Sequence, residues 1–401
     1  MYLKFLFCKS AYRSIGIGMP SALIFVPIFI FCLSCKQPFT SPTNASVPSY
    51  LVVDGYLNAG TDSTFITLSR TRGMDSTIKG IPETNAQVSV LGASGAIYPL
   101  TEQAGGKYLV VALNLNPADN YQLQILTKDG KKYLSDPISV VQTPPIDSIS
   151  WKMNSTGADN KLGVTVYANT HDPLNKTWYY RWEYVETWEY HTVFDSYDYY
   201  SDGQVFGRNV DSLINACWFT EPSTNITIAT SSNLSQDIIF EKPLVFIPQG
   251  TQKLGVRYSI LVKQYGTTKQ SYEYWENLKK NTELTGSIFD PQPSQVAGNI
   301  HCQSNPGETV LGYVSASTSQ QARIFIESRL FPSWGFKTIP TSGCSQILVT
   351  QDSFLYYFGG RGLIPLFEKP PPRTMISFWA TMPACADCTL QGGKAQKPSY
   401  W

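Results

Sequence analysis

Charge is scarce in this sequence. Only 15% of its 401 residues are Asp, Glu, Lys or Arg, and the formal net charge is +1. Nucleic-acid binding relies on a basic patch or stripe, so this balance gives no electrostatic case for a nucleic-acid partner. Histidine occurs only as His171, His191 and His301. No Gly-x-Ser-x-Gly and no His-Glu-x-x-His is found, so the familiar hydrolase and metalloprotease signatures are missing. No apolar run reaches the roughly 20 residues that a membrane-crossing helix needs.

Aromatics are abundant instead, at 13% with 24 Tyr and 9 Trp, and together with the low charge they favour β-structure. The N-terminus has a separate character. Lys4, Lys9 and Arg13 form a basic region, an apolar run follows from Ala22 to Leu33, and Leu33-Ser34 precedes Cys35. Residues 1–34 therefore read as an export signal, outside the fold. The small residue before a cysteine resembles a bacterial lipoprotein signal, which implies that Cys35 carries a lipid and becomes the new N-terminus. A plain secretory signal, or an uncleaved anchor, is the alternative. Residues 35–48 are rich in Pro, Ser, Thr and Asn and read as a flexible tether.

From Tyr50 to Val141, short alternating segments recur every 8 to 12 residues or so, the spacing of a β-sandwich. Strands are expected at Tyr50–Leu57, Ser63–Ser69, Ala86–Leu91, Ala96–Leu100, Lys107–Val111, Tyr121–Thr127, Lys131–Leu134 and Ile138–Val141. Lys128-Asp129-Gly130 carries the signal of a type I′-like hairpin turn. Residues 49–143 thus form an expected immunoglobulin-like or transthyretin-like module. Pro144-Pro145 cannot continue a ladder and marks its end. Residues 146–401 read as a larger β-rich domain, so the fold class is mainly all-β. Its expected strands include Val310–Ser317 and Ala322–Ser328, and beyond Arg329 the pattern loosens.

Thr177–Tyr190 is the most aromatic window, and alternation puts Trp178, Tyr180, Trp182 and Tyr184 on one face. The loop expected beyond it, Thr192 to Gly207, adds further rings. Trp188, Tyr190, Phe194, Tyr197, Tyr199 and Tyr200 make a candidate binding surface, since rings beside carboxylates stack sugars or dock proteins. The bland alternative is that the strand's rings fill a core and the loop covers an edge. Asp195, Asp198 and Asp202 lack the ligand spacing of a calcium loop, so no metal is expected.

Beyond Cys8, Cys32 and Cys35, the chain has Cys217, Cys302, Cys344, Cys385 and Cys388, all disulfide candidates. Five is odd, so at most two internal bonds form. Cys385-x-x-Cys388 also has redox or zinc spacing, but it precedes a Gly392-Gly393 tail instead of opening a helix after a strand. Phe358-Gly359-Gly360-Arg361-Gly362 follows no strand-to-helix phosphate pattern, so no cofactor is expected.

One helix stands out, near residues 268–283. Tyr272, Trp275 and Leu278 share a face, and Glu276 sits four residues before Lys280. This helix runs toward Asp290-Pro291-Gln292-Pro293-Ser294-Gln295. Together with Leu51-Val52-Val53-Asp54-Gly55, Leu311-Gly312-Tyr313, Cys385-x-x-Cys388 and the closing Lys397-Pro398-Ser399-Tyr400-Trp401, these blocks resemble the Bacteroidetes lipoprotein family of domain of unknown function 4249. The resemblance implies an envelope lipoprotein with an N-terminal immunoglobulin-like sandwich, encoded beside TonB-dependent outer-membrane receptors. It supplies no catalytic residues. Lys36-Gln37-Pro38-Phe39 lacks the acidic residues common after the lipidated cysteine of surface lipoproteins, which leaves both the periplasmic and the surface face open.

The expectation is therefore a non-enzymatic accessory of a TonB-dependent receptor, lipid-anchored at the outer membrane and active in nutrient uptake. A structural or adhesive envelope protein is the alternative. A less favoured one is an exported hydrolase using pairs such as Glu183 and Glu186, or Asp195 and Asp198.

Overall fold

Alternating apolar and polar residues produce strands across the N-terminal half. The computed structural model describes residues 49–72, 80–156, 161–283, 296–335, 343–370 and 375–401. The signal, Cys35, the tether and the Asp290–Gln295 block lie outside the described residues. The first strands are β1 (Leu51–Gly55), β2 (Leu57–Asn58), β3 (Thr64–Arg70), β4 (Ile81–Pro82) and β5 (Gln87–Gly92). They continue with β6 (Ile97–Gln103), β7 (Lys107–Val110), β8 (Asn120–Leu126), β9 (Lys132–Ser135) and β10 (Ile138–Val141). In β8 the buried residues are Tyr121, Leu123 and Ile125, so one face is dry and the other wet.

After the Pro144-Pro145 crossing come β11 (Ile146–Thr156), β12 (Lys161–His171), β13 (Tyr179–His191), β14 (Asp198–Ser201) and β15 (Gln204–Gly207). Next are β16 (Ala216–Pro222), β17 (Thr227–Thr230), β18 (Ile238–Pro248), β19 (Arg257–Thr267) and the helix α1 (Lys269–Glu283). Thr268 starts the helix: its Oγ1 accepts from the Ser271 backbone N–H at 3.2 Å. The expected Glu276–Lys280 pair forms at 3.0 Å. β11, β12 and β18 make one sheet, and β13 lies between β16 and β19 in another.

The chain then returns to its start. β20 (Ile300–Cys302) pairs with β9, β21 (Val310–Leu311) runs parallel to β1, and β22 (Ala316–Ser317) runs parallel to β2 and β10. Ile300, Cys302, Val310, Val314 and Ala316 are buried in one core with Leu51, Ile66, Val90, Leu123 and Tyr133. The segment expected as one strand over 310–317 is thus two short strands, each with parallel partners. Its hydrogen-bonding partners, more than its own pattern, define it.

β23 (Ser319–Glu327) rejoins β19 in the second body. The second core gathers Val164, Tyr180, Trp182, Trp188, Ile260, Ile326 and Phe331, among others. β24 (Ile347–Thr350), β25 (Ile364–Glu368) and β26 (Ser377–Thr381) form a third, small sheet around Val349, Phe354, Phe358 and Phe378. The all-β class holds.

The two crossings from the first body to the second meet at one point. The Thr143 N–H donates to Thr318 Oγ1 at 2.8 Å, and the Gly266 N–H donates to Thr143 Oγ1 at 2.9 Å. A Cβ on Gly266 would come within 2.9 Å of Val141 and 3.0 Å of Thr177, so only glycine lets β19 pass this junction without displacing them.

A turn in the second body hangs on one carboxylate. Asp172 accepts the backbone N–H groups of Leu174, Lys176 and Thr177, each at 2.9 Å. Burial pushes the Asp172 carboxyl up, but the three donors together outweigh it and hold it below the usual carboxylate range. A depressed folded value means that the stabilisation is complete above the unfolded value near ~4 and is lost as pH falls through the folded one. Asp172→Asn should destabilise the protein by about 2 kcal/mol at neutral pH. Urea titrations at descending pH should show the gap to wild type closing in acid, and a gap independent of pH would refute the assignment.

Candidate functional site

The faces of β13 decide where chemistry is placed. Side chains on a strand alternate, so residues three apart point to opposite sides. Tyr180, Trp182, Tyr184, Glu186, Trp188 and Tyr190 are buried on the core side. Arg181 and Glu183 lie on the other. Glu183 and Glu186 therefore do not face a common site. Glu186, only 6% exposed, is held by Lys253 Nζ at 2.7 Å and the Tyr258 hydroxyl at 2.8 Å.

Strand register lines up two polar rows on the outer face. Glu183 lies opposite Lys263, which lies opposite Gln321; one step along, Arg181 lies opposite Tyr265, which lies opposite Ser319. From these rows Glu183, Lys263, Gln321, Tyr265 and Ser319 face Tyr56, Asp62, Ser63 and Phe65 of the first body across a cleft of about 350 Å³. This is at the small end of ligand pockets. The cleft belongs to neither body alone.

Its walls are held by a chain of contacts. The Tyr265 hydroxyl, on a residue 4% exposed, donates to Glu183 Oε2 at 3.1 Å. Arg181 bonds Glu183 Oε1 at 2.8 Å and lies over two rings, Trp275 of α1 at 4.4 Å and Tyr265 at 5.1 Å. The Tyr56 ring meets Tyr265 edge-on at 4.7 Å. Asn58 Nδ2 donates to the Tyr56 hydroxyl at 3.0 Å and to Ser319 Oγ at 3.2 Å, and Ser319 Oγ donates to Asp62 at 3.3 Å. Burial first, and then the Glu183 charge, push the Tyr265 phenol far above its ordinary value, so it stays a neutral donor. Half-buried Lys263 has no ion pair or hydrogen bond among the described residues. The cleft thus offers one spare cation, one spare carboxylate on exposed Asp62, and aromatic walls.

The aromatic surface expected from sequence divides. Trp188 and Tyr190 are core residues packed on Phe219, with Trp188 stacked at 5.5 Å. Phe194 is half-buried, and its N–H donates to the Cys385 carbonyl. Tyr200 packs on Phe358 in the third core. Only Tyr197 and Tyr199 are exposed. The expected loop is in part a hairpin, β14–β15, turned by Asp202 (φ 50°) and Gly203 (φ 83°). Asp195 is engaged by Tyr197 at 3.2 Å and Asn215 at 2.6 Å. Burial, and then Glu368, push the Asp198 carboxyl up.

Cysteine pairing is specific. Cys217 bonds Cys388 and Cys344 bonds Cys385, so the two members of Cys385-x-x-Cys388 go to different partners. That arrangement bears out the disulfide reading of these two cysteines, which carry their bonds to Cys217 and Cys344. Cys302, counted among the disulfide candidates, is the odd thiol, buried in the first core. Each histidine pairs with an acid: His171 with Asp147, His191 with Glu189 and His301 with Asp136. Among the described residues no group of three or more His, Cys, Asp or Glu could hold a metal ion, and no helix is long and apolar enough to cross a membrane.

Sequence reasoning reached Glu183 but missed Tyr56, Asp62, Lys263 and Tyr265. Alternation along Arg257–Thr267 does place Lys263 and Tyr265 on one face, yet it does not say which part of the chain covers that face.

No curated protein matches the chain. A family model does match, over residues 36–323, and from that span the chain belongs to the family described as a domain of unknown function, DUF4249.

Proposed function

We propose that this chain is an envelope lipoprotein, anchored at the outer membrane by a lipid on Cys35, that binds a small solute and acts as a non-enzymatic accessory of a TonB-dependent receptor. The observation that carries the binding part is the cleft between Phe65 and Lys263, whose polar lining is largely already bonded into place on strands. Preformed sites on rigid elements suit recognition. The opposite facing of Glu183 and Glu186 argues against their use as an acid–base pair.

An adhesive or structural reading draws on the exposed rings and aliphatics near the third core: Tyr197, Tyr199, Phe206, Leu355 and Tyr356. A pull-down from detergent-solubilised outer membranes separates the two. Under the accessory reading, a TonB-dependent receptor co-purifies with the wild type and is lost with Cys35→Ala. Lipidated protein recovered without any receptor would remove that reading in favour of the adhesive one.

A further inference from the structure

The geometry points to a ligand class for the cleft, an inference that rests on the cleft being a binding site: a small zwitterion, an amino acid or dipeptide with an apolar side chain. The charges on the walls decide this. Arg181 and Glu183 satisfy each other at 2.8 Å. What is left over is Lys263, without a partner among the described residues, and Asp62, which takes only one long hydroxyl bond at 3.3 Å. A simple anion would meet Lys263 but also the two carboxylates. A simple cation would meet Asp62 but also the Lys263 ammonium. An uncharged ligand would cover Lys263 and leave it unpaired, which is costly when a charge loses water. A ligand carrying both signs satisfies both spare groups at once.

The two spare groups come from different bodies, Asp62 from the segment before β3 and Lys263 from β19. A carboxylate would sit at Lys263 and an ammonium at Asp62. Between them Phe65, 51% exposed, and the Tyr56 ring offer an apolar wall for a side chain. The volume of about 350 Å³ suits an amino acid or dipeptide better than a longer peptide.

Calorimetric titration of the full chain in detergent with the dipeptide Ala-Phe tests this. Ala-Phe should bind, and acetylating its amine or amidating its carboxylate should weaken binding by about tenfold or more each. Lys263→Met should lose about as much as amidation, and Lys263→Arg should restore it. Asp62→Asn should match acetylation. Both residues are solvent-accessible, and thermal midpoints within a degree or so of wild type would show that the variants fold. Equal affinity for doubly capped and free dipeptide would overturn the proposal, as would binding of maltose in place of Ala-Phe, or no binding of either. A receptor recovered in the pull-down without dipeptide binding overturns the ligand class alone. Dipeptide binding without a receptor keeps the class and removes the receptor partnership.

Discussion

Replacing Cys217 and Cys388 together by alanine should lower stability by about 5 kcal/mol, the largest effect expected from any one interaction in this protein. The two cysteines stand 171 residues apart, and a cross-link of that span removes much of the unfolded chain's freedom. Both are fully buried, so alanine leaves no unsatisfied polar group. The bond also fastens the last residues. Beyond it, Lys394 exchanges backbone bonds with Trp218, Trp401 Nε1 donates to Glu189 at 3.0 Å, and Arg257 and Arg323 lie over the Trp401 and Tyr400 rings. Urea denaturation should show the loss, and tryptophan fluorescence should show the tail detaching first. The Cys344–Cys385 bond, closing 41 residues, should cost about 4 kcal/mol when removed. A Cys217/Cys388 effect below about 1 kcal/mol would mean that the unfolded chain is already compact.

The second large effect concerns the buried pair. Lys253→Met should destabilise by about 3 kcal/mol, because Glu186 would be left under the sheet with only the Tyr258 hydroxyl as partner. Lys253 also sits over the Trp188 ring at 4.8 Å, so methionine keeps the packing and loses the charge. Glu186→Gln combined with Lys253→Met should recover most of the loss, since glutamine still accepts from Tyr258. A double mutant no better than Lys253→Met would show that the lysine acts through packing instead.

Much of the first body was legible from sequence. All eight strands expected between Tyr50 and Val141 form, because each owes its existence to its own alternation. The short strands β4 and β20 were not legible, while β1 and the start of β2 read as one strand over Tyr50–Leu57 and β21 and β22 as one over Val310–Ser317, because segments this short are made by their partners. Turn chemistry shows a similar limit. Lys128-Asp129-Gly130 was expected to be type I′-like, yet only Gly130 has positive φ there. Ser201-Asp202-Gly203-Gln204 carries the same dipeptide and does form the two-residue hairpin turn, with both central residues left-handed. Asp-Gly signals a hairpin; the flanking strand register decides which one.

The site was half legible for a related reason. Glu183 and its aromatic strand stand out locally, but the cleft exists only where residues near 60 meet residues near 263 and 320. No local pattern encodes that meeting. The disulfides were limited by sequence to two bonds among five cysteines, and which pair forms depends on the same long-range geometry.

The return of residues 300–317 to the first body has a consequence for how the protein is born. A chain that emerges N-terminus first exposes β1, β2 and β10 well before Val310 and Ala316 arrive to pair with them. During that interval the edges of the first body are open and its core lacks Ile300, Val314 and Ala316. Such a half-built sheet is prone to pairing with the wrong neighbour. The part of the protein made first is therefore finished late, after most of the second body has been made.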